Sequence, residues 1–344
     1  MTPDRLVGAA LSALLVCAPA VAGPAREDAA SRALQWLHRM SHAMRHENYI
    51  GRFVYQHDDQ LDAMEIRHFV TPDGEKSHLI ALNGAVTEVL HDGDRVICVT
   101  PRADSLAVER FRAPRGLSHL LPSDTGRLAR SYEIQRFRDN RIADRAAVVV
   151  GLLPRDEYRY GLRLFLDKHT ALPLRADRLT RDGRVLSRIL FVNLLTGAEV
   201  AGFDDALRVS GDRERYQLIL HAANAKSNPA RAEAAGSQQR WRFGDLPPGF
   251  RLVGRRRLPG RHARVEQYIF SDGLSSFSVY LEPSRDGAVD SLVHAGAVHA
   301  YGRALGDRHV TIVGEVPGAT VERVARGIEP LDGAPPKLAG KAAE

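Results

Sequence analysis

Three histidines near the start of the chain have the spacing that comes closest to a metal site. His38, His42 and His46 recur every fourth residue, and Glu47 follows them with an oxygen ligand. Side chains four residues apart lie on one face of a helix, which suits two zinc ligands. The line of histidines drifts around the helix over successive turns, and no cysteine or second histidine cluster accompanies it. We therefore interpret the histidines as amphipathic surface residues and predict no metal and no cofactor.

Motifs for enzymatic chemistry are missing from the sequence. There is no Gly-x-Ser-x-Gly elbow, no Gly-x-Gly-x-x-Gly after a strand, no phosphate loop and no His-Glu-x-x-His helix. We predict that the chain is not an enzyme and has no catalytic residues. A hydrolase whose serine, histidine and aspartate meet only in space is the least favoured alternative.

Arginine supplies most of the positive charge, and the chain carries a net charge of +6. Arg255, Arg256 and Arg257 form the densest cluster, with Arg261, His262 and Arg264 nearby. Guanidinium groups bind phosphates and carboxylates through a planar fork. The cluster is either a solvated loop or a surface for anions or an acidic peptide.

The first 22 residues have the pattern of a secretory signal. Arg5 precedes the apolar stretch Leu6 to Val16, and Ala20-Val21-Ala22 offers small residues for cleavage. A lipoprotein signal at Cys17 is the minor alternative, because the branched Val16 stands where a small residue is expected. The mature chain then begins near Gly23 and keeps Cys98 as its only cysteine, so it cannot close an internal disulfide. Because a secreted protein acts outside the cytoplasm, nucleic acid is an improbable partner.

Apolar periodicity predicts a helix followed by a mainly antiparallel sheet. Residues at three- and four-residue steps indicate one buried helical stripe from Asp28 to His46. Short apolar runs separated by Asp-Gly turns then indicate meandering hairpins. The clearest strand is predicted from Tyr158 to Asp167, and Val96 to Val99 should bury Cys98 as a small hydrophobe. No alternation of strand and helix appears, which predicts an α+β fold, mainly antiparallel β.

A small, polar segment divides the chain into two parts. We predict a signal peptide at 1–22, a domain at 23–220, a linker at 221–239, a domain at 240–330 and a flexible tail at 331–344. In the second domain, Val321, Val324, Ala325 and Ile328 predict one face of a helix, and Thr320 is placed to cap it.

Several motifs resemble those of a known family, and they occur in both domains in the family's order. The first domain carries Arg141-Ile142-Ala143-Asp144-Arg145, Pro154-Arg155-Asp156-x-Tyr158-Arg159-Tyr160-Gly161, and Leu166-Asp167 with Leu172-Pro173-Leu174-Arg175. The second carries Leu246-Pro247-x-Gly249-Phe250, Tyr268-x-Phe270-Ser271-Asp272-Gly273-Leu274-x-Ser276-Phe277-Ser278-Val279, and Thr311-Ile312-Val313-Gly314-Glu315-Val316-Pro317. Together they resemble the MucB/RseB family of periplasmic sigma-E regulators.

The resemblance implies both architecture and function. It implies a LolA/LolB-like open half-barrel wrapped around helices for lipid sensing, joined to a smaller C-terminal α+β domain for partner binding. It implies a periplasmic negative regulator of the envelope stress response that binds the periplasmic domain of an anti-sigma factor and shields it from site-1 protease. Lipopolysaccharide or lipoprotein acyl chains would relieve the shielding. A homo-oligomer and a lipid or lipoprotein carrier without a regulatory partner remain open.

Side-chain direction along the predicted strands gives two candidate sites. We predict that an acyl trough is lined by Phe53, Tyr55, Tyr160, Leu162, Leu164 and Ile189. We predict that a partner surface is formed by Arg255, Arg256, Arg257, Tyr268 and Phe277. The same apolar face of the sheet would equally serve as a filled core, and the sequence does not separate a core from a trough.

Overall fold

A computed structural model describes residues 24–72, 74–84, 87–92, 95–101, 125–203, 216–222, 241–258, 265–284 and 290–331. The predicted signal segment, most of the predicted linker, the tail after Leu331, and the predicted cluster members Arg261, His262 and Arg264 lie outside the described residues. Among the described residues, no helix combines the length and the apolar character needed to cross a bilayer.

Eleven antiparallel strands form one sheet in the N-terminal part of the chain. The strands are β1 (Tyr49–His57), β2 (Gln60–Thr71), β3 (Gly74–Ala81), β4 (Glu88–Asp92), β5 (Arg95–Pro101), β6 (Tyr132–Ile142), β7 (Arg145–Pro154), β8 (Gly161–Asp167), β9 (Pro173–Leu179), β10 (Val185–Thr196) and β11 (Tyr216–Ala222). Their order is β11-β5-β4-β3-β2-β1-β10-β9-β8-β7-β6. The first and last strands of that order are edges, so the sheet is open rather than closed into a barrel.

Within the described residues, two α-helices and a short 3₁₀ helix accompany this sheet. They are α1 (Pro24–His46), α2 (Thr125–Ser131) and the 3₁₀ turn Gly197–Val200. Proline is well tolerated at the first position of a helix, because its missing N–H would have no partner there. The inward side chains Leu37, Met40 and Met44 of α1 join the buried cluster of the sheet, and α1 packs mainly against β6. We call this unit the first lobe.

A six-stranded antiparallel sheet and one helix form a second unit, the second lobe. It contains β12 (Trp241–Phe243), β13 (Arg251–Leu258), β14 (Val265–Ser271), β15 (Ser276–Pro283), β16 (Ser291–Ala295), β17 (Val298–Leu305), β18 (Arg308–Gly314), α3 (Gly318–Arg326) and β19 (Ile328–Pro330). The sheet order is β13-β14-β15-β18-β17-β16, and β12 pairs separately with β19. Val321, Val324 and Ala325 of α3 pack into its core, as the periodicity predicted.

The expected fold class is confirmed, and the differences lie at element ends. Helix α1 begins at Pro24 rather than Asp28, and strand β8 begins at Gly161 rather than Tyr158. Helix α3 ends at Arg326, so Ile328 is buried from strand β19 rather than from the helix. Thr320 does not cap α3: the N-cap residue is Pro317, which makes no side-chain capping bond.

Candidate functional site

The two lobes meet around the side chain of Arg159, which is fully buried. Arg159 lies between β7 and β8 in the first lobe. Its Nη1 donates to Oδ2 of Asp272 in the second lobe at 2.6 Å, and its Nη2 donates to the carbonyl oxygen of Pro248. Its Nε donates to Oδ1 of Asp156 at 2.9 Å, within the first lobe. The guanidinium thus uses its planar fork to hold three acceptors from both lobes.

Asp272, the partner carboxylate, is equally buried and fully hydrogen-bonded. Its Oδ1 accepts from the backbone N–H groups of Leu274 and Ser275 at 2.9 and 2.7 Å, which fixes the turn between β14 and β15. Its Oδ2 accepts from Arg159 and from the hydroxyl of Tyr132 at 3.1 Å. Burial and then the charge of Asp272 raise the pKa of Tyr132, so the phenol stays a donor. A buried ion pair is stable only when its remaining polar atoms are satisfied, as they are here.

Aromatic rings and a glycine close the junction around the ion pair. The guanidinium carbon of Arg159 lies 5.1 Å from the ring centre of Phe250 and 5.6 Å from that of Tyr132. Gly249 has a φ of +85°, and a Cβ at this position would lie 2.6 Å from Oγ of Ser131. Only glycine therefore allows the chain of the second lobe to approach α2 this closely.

A second group of contacts joins helix α3 to the segment before β8. Thr320 Oγ1 donates to the carbonyl oxygen of Tyr158 at 2.7 Å, and Arg323 Nη1 donates to the Tyr158 hydroxyl at 2.6 Å. The Arg323 guanidinium also lies 4.8 Å from the centre of the Tyr158 ring. Thr320 therefore lies in the first turn of α3, which begins at Gly318, and its hydroxyl helps to hold the lobes together.

A third group of contacts between the lobes includes a histidine, His299, whose protonation depends on pH near neutrality. Arg178 of β9 lies 2.9 Å from the carboxylate of Glu315, and the hydroxyl of Tyr160 lies 3.3 Å from Nδ1 of His299. The rings of His299 and His294 stack with their centres 5.5 Å apart. A histidine that contacts the other lobe makes the strength of the junction depend on pH.

Acidification is expected to weaken the junction through His299. Burial lowers the pKa of His299, and the charge of His294 lowers it further, while hydrogen bonds with the backbone of Val316 and Ala297 partly oppose them. The folded state therefore favours the neutral ring. Its stabilising contribution is complete above the ordinary histidine pKa of about 6.5 and is lost as the pH falls from there through the lowered value.

Thermal unfolding of the wild type and of His299→Gln, from about pH 7.5 down to about pH 5, measures this effect. The wild type should lose more Tm than the variant over this range, because the other histidines contribute equally to both proteins. Parallel curves for the two proteins would contradict a role for His299.

Five of the six side chains predicted to line an acyl trough are buried, and the sixth, Tyr55, is half-buried. Phe53, Leu162, Leu164 and Ile189 belong to the same buried cluster as the inward side chains of α1, and half-buried Tyr55 packs against that cluster. Tyr160 is buried at the junction instead. Their role as lipid-binding residues stays a prediction. An acyl chain would have to displace side chains that now pack together.

The residues predicted for a partner surface divide into two groups. Arg257 is exposed and Arg255 and Arg256 are half-buried on strand β13. Tyr268 and Phe277 are 0% and 2% exposed and lie in the core of the second lobe. The partner-binding role of all five stays a prediction. For Tyr268 and Phe277 such a role would be indirect, because these rings hold β14 and β15 in place and do not reach the surface.

Sequence reasoning missed the pairing of Arg159 with Asp272. Both residues lie inside motifs that carry the family resemblance, in Pro154 to Gly161 and Tyr268 to Val279. They are 113 residues apart, and no local periodicity connects them. The available signal was that both residues lie in motifs beside strands of different domains, and this signal identifies a contact only when the fold is known.

Comparison with known proteins gives matches over both lobes. A family model described as the MucB/RseB N-terminal domain matches residues 32–209, and one described as the MucB/RseB C-terminal domain matches residues 235–329. The sigma factor AlgU regulatory protein MucB of Pseudomonas aeruginosa is 35% identical over 93% of this chain and 97% of its own length. The sigma-E factor regulatory protein RseB of Escherichia coli is 27% identical over 85% of this chain and 89% of its own.

Solved structures match at the level of the whole arrangement. A complex of Pseudomonas aeruginosa MucA and MucB gives a TM-score of 0.69 at 31% identity, covering 88% of this chain and all of the matched chain. A crystal structure of MucB gives a TM-score of 0.62 at 32% identity, covering 88% of this chain and 98% of the other. The similarity therefore extends across both lobes.

Proposed function

Because the chain belongs to the MucB/RseB family of sigma factor regulators, we propose that it binds the periplasmic segment of a membrane anti-sigma factor and shields it from site-1 protease. Acyl chains of lipopolysaccharide or of mislocalised lipoprotein then release the segment. The observation that carries this proposal is the match of both lobes to MucB solved in complex with MucA.

Location and chemistry follow from the same proposal. The chain acts in the periplasm, to which the secretory pattern of residues 1–22 directs it. It acts by binding rather than by catalysis, as its named relatives are regulatory proteins. We propose residues 23–220 and 240–330 as its two domains; strand β11 continues two residues beyond the first boundary, to Ala222.

Ligand and partner must favour different arrangements of the lobes if one is to displace the other. Reversing a 1:99 population to 99:1 takes about 5.5 kcal/mol of differential binding. Each buried methylene of an acyl chain contributes about 0.8 kcal/mol, so roughly seven methylenes are enough. The Arg159–Asp272 pair spans the lobes and is the natural point at which the two binding events are coupled.

The apolar face of the first sheet is the proposed acyl site. Phe53, Leu162, Leu164 and Ile189 belong to the same buried cluster as the inward side chains of α1, and the hydroxyl of Tyr160 contacts His299 at the junction. An acyl chain that enters this surface must move α1 or the residues packed on it. Such a movement reaches the second lobe through Tyr160 and the neighbouring Arg159.

Tryptophan fluorescence tests whether acyl chains reach the helix. The chain has two tryptophans: Trp36 lies on α1 against the first core, and Trp241 lies in the second. In a Trp241→Phe variant, lipid A or a lipoprotein acyl peptide should shift the emission of Trp36. The matched Trp36→Phe variant should respond less. An unchanged spectrum of Trp36 at saturating lipid would contradict acyl binding under α1.

Capture of the partner tests the regulatory half of the proposal. The purified mature protein should retain the periplasmic segment of a candidate anti-sigma factor and slow its cleavage by site-1 protease. Lipopolysaccharide should reverse both effects, whereas its delipidated polysaccharide should not. Lipid binding without capture of any anti-sigma segment would contradict this function and leave a lipid carrier.

A further inference from the structure

Strand β13 is an open edge of the second sheet. Within the described residues its only strand partner is β14, so the hydrogen-bonding groups on its other side pair with no strand. Leu252 and Val253 are 41% and 38% exposed on this strand. An unpaired edge is a template to which an extended peptide can add as a further strand.

A small open cavity, lined mainly by apolar side chains, lies at the beginning of this edge. Its volume is about 290 Å³, and it is lined by Arg242, Phe243, Leu246, Leu252, Phe270 and Leu331. Pockets for drug-sized ligands have volumes of about 300 to 1,000 Å³, so this one is suited to a single large side chain. In strand addition, such pockets select the side chains on alternate residues of the added strand.

Cationic side chains follow the cavity along the same edge. Leu252, Arg255 and Arg257 pair with Phe270, Tyr268 and Glu266 of β14. The three partners on β14 are alternate residues and share a face, and a β-bulge between Leu252 and Gly254 brings Leu252 onto the same side of the sheet as Arg255 and Arg257. The Arg255 guanidinium lies 5.2 Å from the centre of the Tyr268 ring and 3.3 Å from the Glu266 carboxylate.

Glu266 offsets part of this charge, and exposed Arg257 extends it to the end of the strand. The face therefore changes from apolar to cationic along about 14 Å, the four residue steps from Phe270 to Glu266 on the paired strand at about 3.4 Å each. A ligand that matches it carries an apolar side chain at one end and carboxylates at the other.

We propose that the β13 edge binds an extended segment of the anti-sigma partner as an added antiparallel strand. A large apolar side chain of the segment occupies the cavity, and acidic side chains on alternate residues face Arg255 and Arg257. This inference rests on the proposed function and specifies how the partner is recognised. The arginines also repel the same edge of a second copy, so that the edge favours an acidic strand over self-association.

Model peptides test strand addition directly on the full mature protein. The probe is a fluorescein-labelled Thr-Glu-Thr-Glu-Thr-Phe-Thr peptide, measured by fluorescence anisotropy. Binding should weaken with added salt. It should be lost when both glutamates are replaced by lysine, and also when alternate amides on one edge of the peptide are N-methylated. Equal binding of the N-methylated peptide, or no binding of the acidic peptide, would overturn the proposal.

Exposed positions provide the matched protein variants. Arg257→Glu should weaken peptide binding on the order of tenfold, which corresponds to about 1.4 kcal/mol, because it removes a charge-assisted contact and adds a repulsive charge. Leu252→Ser should weaken binding of the phenylalanine peptide but not that of a peptide with glycine in its place. Arg138→Glu makes the same charge change on exposed residue 138 of strand β6, the edge of the other sheet, and should bind as the wild type does. Equal weakening by Arg257→Glu and Arg138→Glu would reduce the effect to general electrostatics and overturn the proposal.

Capture of the anti-sigma segment separates this inference from the function on which it rests. Retention by the wild type and much weaker retention by Arg257→Glu supports both. Equal retention by the wild type and Arg257→Glu overturns strand addition and leaves the proposed function intact. If neither the wild type nor Arg257→Glu retains the anti-sigma segment, the proposed function is overturned. Strand addition of that segment is then overturned as well, even if the acidic peptide binds.

Discussion

Replacing Arg159 by methionine is expected to lower the free energy of unfolding by about 3 to 5 kcal/mol. The substitution leaves the carboxylate of Asp272 buried without its cation, and the carbonyl of Pro248 loses a donor. Urea denaturation at neutral pH measures the effect as a lower midpoint. Lysine should not restore stability, because a single ammonium cannot reach three acceptors with the geometry of a planar fork.

Two controls show whether the loss belongs to the ion pair. Arg155→Met changes an exposed arginine of the same segment and should alter the unfolding free energy by less than about 1 kcal/mol. Adding Asp272→Asn to Arg159→Met removes the uncompensated charge and should recover part of the loss, which gives a measurable coupling energy. Purely additive effects of the two substitutions would contradict a direct interaction.

The same substitution should also disturb regulation. If the pair couples the lobes, Arg159→Met lowers protection of the anti-sigma segment at temperatures where the protein is still folded. It should also reduce the difference in protection between samples with and without lipopolysaccharide. Normal protection and normal release by the folded variant would show that the pair only stabilises the protein.

Leu164→Asp is expected to destabilise the first lobe by at least about 4 kcal/mol, because it places a carboxylate without a partner in the core. Leu164 is 0% exposed and lies in the cluster that includes α1. Leu164→Ala should cost about 2 to 5 kcal/mol through the cavity that it leaves. Circular dichroism during thermal unfolding measures both variants.

Leu61 of β2 supplies the matched control for this position. It is 62% exposed, so Leu61→Asp should change stability by no more than about 0.5 kcal/mol. A stable Leu164→Asp protein would mean that this face is open to water in solution and would strengthen the trough interpretation. Because the substitution affects folding first, Trp36 fluorescence is the better measure of lipid binding.

Much of the fold was predictable because its signals are local. The apolar stripe of α1 and the Asp-Gly turns between hairpins depend on residues a few positions apart. The helix in the second lobe was likewise indicated by the spacing of Val321, Val324 and Ala325. Local periodicity carries this information because the side-chain repeats of helices and strands are short.

The junction was not predictable because its contacts join distant parts of the chain. The alternation from Tyr158 to Leu166 predicted one strand face, but Tyr158 and Arg159 precede strand β8 and hold the other lobe instead. Arginine is rarely fully buried, so sequence patterns predict that an arginine such as Arg159 is exposed to solvent. Thr320 was predicted to cap a helix because its actual partner, the carbonyl of Tyr158, is 162 residues away in the sequence and no local pattern points to it.

The pairing of β12 with β19 brings the two ends of the second lobe together. Trp241 lies opposite Pro330, and the N–H of Gly244 donates to the carbonyl of Gly327 at 2.7 Å. The chain therefore enters and leaves this lobe at adjacent points, as in units that tolerate insertion into a host loop. We expect that residues 241–331 can be inserted as a unit into a loop of another protein, because the two ends of the inserted segment lie side by side.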